Sequence, residues 1–235
     1  MLSCQKEAEN TTNKGVVQLQ FTNMAGSASL ALNSTFTNTF GESLTITKYK
    51  YYISNIAFTD ERNFRRLVPD TYFLVDEGDA ASKTFNIEVP AGTYQSISFL
   101  LGVDSTRNVS GAQTGALDPL HDMFWTWNTG YIMAKLEGTS PVSELPNEKV
   151  EYHTGGFKGE HSVLRTVTLP FGQVYTLQKN GRLQVAIKAD VLKWFDGVHP
   201  LSIAAAPTAT SPGALASRFA DNYARMFTLT AVQPQ

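Results

Sequence analysis

Two of the four histidines in this 235-residue chain stand in aromatic surroundings. His121 comes just before Met123 and Phe124, and His153 follows Tyr152. An imidazole among aromatic groups is partly desolvated, which favours its neutral, ligand-competent form. His161 and His199 lie beside charged or turn residues and read as solvated. No H-x-x-x-H or H-E-x-x-H is present, so a zinc-protease site is not supported. A P-loop, a G-x-G-x-x-G after a strand and a G-x-S-x-G elbow are absent too. No nucleophile–base pair can be named, so the chain is not expected to be an enzyme. In a β protein, metal ligands come from separate strands and loops, which leaves His121 and His153 as candidates whatever their spacing.

The densest set of ligand types lies between positions 92 and 138. Two apolar, strand-like runs, Tyr94 to Val103 and Tyr131 to Leu136, flank a loop of about two dozen polar and small residues; a loop of that length in a compact domain is usually functional. It holds Asp104, Asn108, Asp118, His121, Asp122, Trp125 and Trp127. Asp104, Asn108 and Asp118 offer oxygen ligands of the kind Ca²⁺ takes. The same side chains also bond to backbone in turns and hold long loops in shape. Trp125 and Trp127 alternate about Thr126 and face one side of a strand, where aromatics normally pack as core. Glu137, at the end of the second run, reads either as a ligand or as a buried partner for loop amides.

The elements that must position these groups are mostly strands. VVQLQFT at 16–22 alternates, and Leu44 to Phe58 is long and rich in β-branched and aromatic residues. Tyr72–Val75 and Thr84–Val89 are shorter. VLRTVTL at 163–169 and RLQVAIKADV at 182–191 alternate again, with Asn180-Gly181 as a hairpin signal before the latter. Near the end, Ser211 and Pro212 signal a helix start. Leu215, Phe219, Tyr223 and Met226 then recur at three- and four-residue spacing, predicting a helix over 212–226. The pattern predicts an all-β fold, an antiparallel β-sandwich with one short C-terminal helix, as a single domain over 15–235.

Composition narrows the partners. Charged residues make up 17% and the net charge is −2. Arg62, Arg65 and Arg66 form the one sizeable basic cluster, which reads as a solvated turn. Nucleic-acid binding is therefore not expected. No apolar run is long enough to span a bilayer. The single cysteine, Cys4, rules out an internal disulfide framework. Small and apolar residues precede it, and polar residues with a Thr- and Asn-rich stretch over 8–14 follow, so that 1–14 reads as a flexible N-terminal tether. That pattern is similar to a bacterial lipoprotein cleavage site, with a lipid on Cys4 as the membrane attachment and an exported location.

The runs GVDSTRN, GALDP and MFWTWNTGYIMAKLEG resemble the copper-binding MbnP-like domain family, exported proteins associated with methanobactin operons together with many bacterial surface lipoproteins. YKYYISNIAF at 49–58, YHTGG at 152–156 and ADNYARMF at 220–227 extend the match to nearly the whole chain from about Val17. The resemblance implies a secreted β-sandwich of the periplasm or outer-membrane surface that binds copper. In some members a tryptophan is oxidised to kynurenine by a partner di-haem peroxidase and helps bind Cu(I), which marks Trp125 and Trp127 as oxidisable or pocket aromatics. Members often carry F-x-H in the first strand; here the segment reads Phe21-Thr22-Asn23, so Asn23 takes the ligand position. Cu(I) prefers sulfur and imidazole to an amide oxygen, so this departure weakens the copper reading. The expected metal set is His121, His153 and Asn23. The other function class is a carbohydrate- or protein-binding surface module that keeps the scaffold without the metal.

Overall fold

The computed structural model describes residues 13–111, 113–125 and 130–235. Cys4 and the tether as far as residue 12, and Trp127, lie outside the described residues; Lys14, at the tether's expected end, already belongs to the first strand.

The chain opens with β1 (Lys14–Ala25), whose alternating Val17, Leu19 and Phe21 are buried. β2 (Ala28–Ser29) folds back on its end, and β3 (Ser34–Thr37) leads into β4 (Ser43–Asp60). β4 is long enough to serve several partners at once. β3, β5 (Arg65–Leu67) and β6 (Tyr72–Asp76) pair with different stretches of it, and β8 (Gly92–Leu101) pairs along 53–60, overlapping the stretches of β5 and β6. β7 (Thr84–Pro90) pairs with β1. The central loop carries a helical turn, α1 (Ser105–Asn108), and ends in β9 (Phe124–Trp125). β10 (Gly130–Thr139) lies between β4 and β11 (Lys149–Gly155). β12 (Arg165–Leu177) pairs with β8, and β13 (Arg182–Asp190) with β1. Short β14 (Thr208–Ala209), helix α2 (Ala214–Tyr223) and β15 (Phe227–Pro234) complete the chain.

Among the described residues these strands form two sheets. One is built on β15-β13-β1, the other on β12-β8-β4-β10-β11-β14. Their inner faces meet through aromatic rings. Phe21 and Phe227 of the first sheet pack on Tyr51 and Phe99 of the second at centroid distances of 5.1–6.3 Å. The buried apolar side chains form one cluster. The fold is all-β and sandwich-like, as the alternation predicts.

Three details differ from the sequence expectation. The sheets are mixed, because β1 pairs with β13 in parallel and β11 with β14 in parallel. Alternation fixes which side chains face the core and is blind to strand direction. Second, Asn180-Gly181 makes a tight turn, with Asn180 at φ 57°, but it does not join paired strands. β12 belongs to one sheet and β13 to the other, so the chain crosses between layers there. Third, α2 begins at Ala214 with Gly213 at its N-cap, not at Ser211-Pro212, and ends at Tyr223. Pro212 is instead held against Gly156, beyond β11. The helix buries Ala216, Phe219, Ala220 and Tyr223, and Phe219 packs on Tyr152 of β11 with centroids 4.5 Å apart. Leu215 packs only partly and Met226 enters the core from the turn after the helix.

Candidate metal centre

β10 and β11 run antiparallel, with Lys135 opposite His153 and Glu137 opposite Glu151. Positions two apart on a strand share a face. Lys135, Glu137, Glu151 and His153 therefore project from one side of this pair. β4 adds Lys48, opposite Glu137. One ligand atom each from Glu137, Glu151 and His153 lie within 4.8 Å of one another. His153 Nε2 is hydrogen-bonded to Glu137 Oε1 at 2.8 Å.

Lysines surround this group. Lys48 Nζ lies 3.3 Å from Glu137 Oε2 and 2.9 Å from Asp122 Oδ2. Lys135, only 1% exposed, bridges Asp122 Oδ2 at 2.8 Å and Glu137 Oε1 at 3.7 Å. It also donates to the Asp122 carbonyl oxygen. Lys149 pairs with Glu151 at 2.6 Å. The bond from His153, followed by the charges of Lys48 and Lys135 acting against burial, holds the Glu137 carboxyl down to about 2. Burial raises the Asp122 carboxyl, but the bonds from Lys135 and Lys48 outweigh it and bring it to about 2. For Lys48, burial opposes the charge, yet Asp122 and Glu137 raise its ammonium overall.

The central loop delivers Asp122 to this place. The Asp118 carboxylate accepts from Leu120 N and caps the helical turn at 119–121, and Asp122 then takes a left-handed conformation (φ 61°, ψ 34°). Asp and Asn tolerate that region better than most residues because their short polar side chains bond locally. Ile132 N donates to Met123 O and ties the loop back to β10. Lys50 Nζ donates to the His121 carbonyl oxygen.

The structure does not gather the histidines as the sequence led one to expect. The His121 ring is bonded to Gly115 O at 2.9 Å and lines a recess with Phe73, Leu74 and Ala116. It stands outside the group formed by His153. Asn23 is buried at 3% exposure: its Nδ2 donates to Glu77 Oε2 and its Oδ1 accepts from the Tyr51 hydroxyl, each at 2.9 Å. Both its polar atoms are engaged away from either histidine.

The three oxygen-bearing loop residues each serve their own turn. Asp104 accepts from Thr106 N and Arg107 N at the start of α1, and from Asn55 and Tyr72. Asn108, 1% exposed, donates to Val103 O and Asp104 O and accepts from Tyr131 N at 3.0 Å. Asp118 caps the next turn. Their geometry is that of loop-ordering side chains. Trp125 is 6% exposed, and its ring lies against Gly155, so the loop end and the His153 strand do meet. Glu151, Lys48 and Lys135 are the residues sequence reasoning passed over. The signal was present in the alternation: Lys135/Glu137 and Glu151/His153 are paired polar positions inside otherwise apolar strands.

A β-sandwich of mixed sheets carrying a carboxylate–imidazole group on its larger sheet is the class of protein that fold and site define. The MbnP family model matches residues 14–212, and the chain belongs to that family. Among solved structures it is similar to MbnP from Methylosinus trichosporium, at 13% identity and a TM-score of 0.56, with 94% of this chain and 99% of that one covered. At that identity the likeness shows the fold alone. No curated protein matches the chain.

Proposed function

We propose that this protein is an exported, lipid-anchored, non-enzymatic domain that binds a metal ion, copper by preference, at Glu137, Glu151 and His153. The observation that carries the reading is the convergence of those three ligand atoms within 4.8 Å. Ligand atoms about 2 Å from one ion lie at most about 4 Å apart, so the set closes on a metal with small side-chain rotations. One imidazole and two carboxylates suit a divalent ion of borderline softness, and Cu²⁺ heads the divalent series for such sites. The set holds no sulfur, so it is a poor one for Cu(I). Family membership points in the same direction, towards a copper-related, methanobactin-associated role.

The ion has to compete with the lysines. Lys48, Lys135 and Lys149 balance Asp122, Glu137 and Glu151 in charge, so a dication enters by displacing ammonium groups from the carboxylates. Lys48 and Lys149, with side chains 35% and 53% exposed, are free to swing into water. Metal analysis of protein purified without chelators or a nickel column, followed by calorimetric titration with Cu²⁺ and Zn²⁺, tests the proposal. His153→Ala and Glu151→Gln should each weaken Cu²⁺ binding at least about tenfold, and His121→Ala should not. Equal binding by wild type and His153→Ala would remove the metal reading.

The binding-module alternative rests on a recess of about 200 Å³ lined by Trp125, Tyr131, Phe157, Lys158 and Pro212. Its aromatic walls fit a sugar ring or an aromatic side chain. Tryptophan fluorescence that responds to saccharides with no metal bound would favour it.

A further inference from the structure

The Arg62, Arg65 and Arg66 cluster spans the turn between β4 and β5 and β5 itself, where positions 61–67 are all exposed. A turn that merely meets solvent has no need of large apolar groups. This one carries Phe64 and Leu67, 63% and 53% exposed. Backbone hydrogen bonds place other segments at the same end. Glu61 N donates to Thr93 O, Ala91 N donates to Asn13 O, and Asn180 N donates to Lys14 O. The irregular stretch of β12 before Tyr175, which pairs with Tyr94, adds Val174 at 51% exposure. Lys14, Lys179 and Arg182 belong to the same end. Six cationic side chains therefore stand there with Asp60, Glu61 and Glu88. Only Lys14 and Arg66 have a carboxylate partner among the described residues, Glu88 and Asp60.

We infer that this end of the molecule docks on an anionic phospholipid surface, with Phe64, Leu67 and Val174 entering the headgroup layer and Arg62, Arg65, Lys179 and Arg182 meeting the lipid phosphates. Protruding apolar side chains beside cations that have no carboxylate partner are what such a surface binds. The course of the chain favours a membrane over a second protein. Asn13, nine residue steps along the chain from Cys4, lies at this end, where its carbonyl oxygen accepts from Ala91 N. Nine residue steps span at most about 32 Å, so a lipid on Cys4 keeps the patch within that distance of the bilayer. This orientation rests on the lipid-anchor reading and not on the metal reading. It also turns the metal centre away from the membrane: Lys48 and Asp60 are twelve residues apart along β4, up to about 40 Å at a strand's rise.

The test uses the full chain with Cys4 unmodified, so that docking is measured without any acyl chain. Sedimentation with phosphatidylglycerol–phosphatidylcholine vesicles should exceed that with phosphatidylcholine alone by at least about tenfold, and about 1 M NaCl, where the Debye length is about 3 Å, should abolish the difference. Arg62→Gln/Arg65→Gln and Phe64→Ser should each lower the partition coefficient about tenfold with unchanged circular dichroism. Equal sedimentation with both vesicle types, or undiminished binding by both variants, overturns the inference. So does light scattering that shows a dimer lost in Phe64→Ser without vesicle binding, which assigns the patch to a second copy. Mass spectrometry of Cys4 from native membranes addresses the anchor separately: an unmodified thiol removes the anchor and leaves the vesicle result standing.

Discussion

Glu137 and His153 are not register partners, yet their side chains are joined. The pairing of β10 with β11 sets Glu137 opposite Glu151 and Lys135 opposite His153, and the 2.8 Å bond between Oε1 and Nε2 runs diagonally across the ladder. That diagonal places an imidazole and two carboxylates at one point, while Lys48 meets the other oxygen of Glu137, Oε2, and Lys135 approaches Oε1 at 3.7 Å.

The lysines should set the affinity. Lys48→Met removes an ammonium that contacts both Glu137 and Asp122. The incoming dication then has one fewer positive charge to displace and to face. Cu²⁺ affinity should rise about tenfold, with the His153→Ala background cancelling the gain. Calorimetric titration reads both.

Lys135 should matter more for stability than for binding. Its ammonium is 1% exposed and bonded to the Asp122 carboxylate and carbonyl oxygen. Lys135→Met takes away the ammonium partner of that carbonyl, while the Asp122 carboxylate, 61% exposed, keeps Lys48 and solvent. The expected cost is about 2 kcal/mol, read as a lower urea midpoint at unchanged slope.

Gly155→Ala should disturb the join between loop and strand. A Cβ there would overlap the Trp125 ring and crowd Tyr131 O at 2.9 Å. Overpacking of that kind costs about 1–3 kcal/mol. Thermal unfolding should fall, and tryptophan fluorescence should shift as Trp125 is driven from its 6% exposed position.

Asn23→His tests the family-derived ligand position directly. Asn23 holds the Tyr51 hydroxyl and Glu77 in the interior, and Lys83 meets Glu77 at 2.9 Å. Substitution should destabilise by about 1–3 kcal/mol through the unmet groups. It should leave Cu²⁺ binding at Glu137, Glu151 and His153 unchanged. A gain in copper affinity would return Asn23 to the site.

Asp104 should give the fold an acid limit. Burial raises its carboxyl, but the bonds from Tyr72, Arg107 N, Asn55 and Thr106 N outweigh this and hold it below its usual 3.8. A depressed folded pKa contributes stability above 3.8, lost as pH falls from there through the folded value. Asp104→Asn should be less stable than wild type near neutral pH and should converge with it as pH falls below 3.8 through the folded value. Unfolding midpoints measured across that range check the sign.

The sequence by itself determined the strands. Val17, Leu19 and Phe21, or Leu183, Val185 and Ile187, alternate because a strand's side chains repeat every two residues, and that period is written locally. The loop between β8 and β10, and its turn-forming Asp104, Asn108 and Asp118, were legible for the same reason. Only the tertiary structure decided partners. The parallel match of β1 to β13 joins segments more than 150 residues apart, and nothing in either segment's alternation encodes direction. The site follows from such pairings. His121 and His153 look equivalent as residues in aromatic settings, but a left-handed Asp122 turns the loop so that His121 meets Gly115 and Asp122 meets Lys135. Glu151 and Lys48 acquire meaning only because β11 and β4 flank β10 in a register that brings both to Glu137. Local periodicity sets which face a residue occupies; which other residues share that place is set by how distant strands pair.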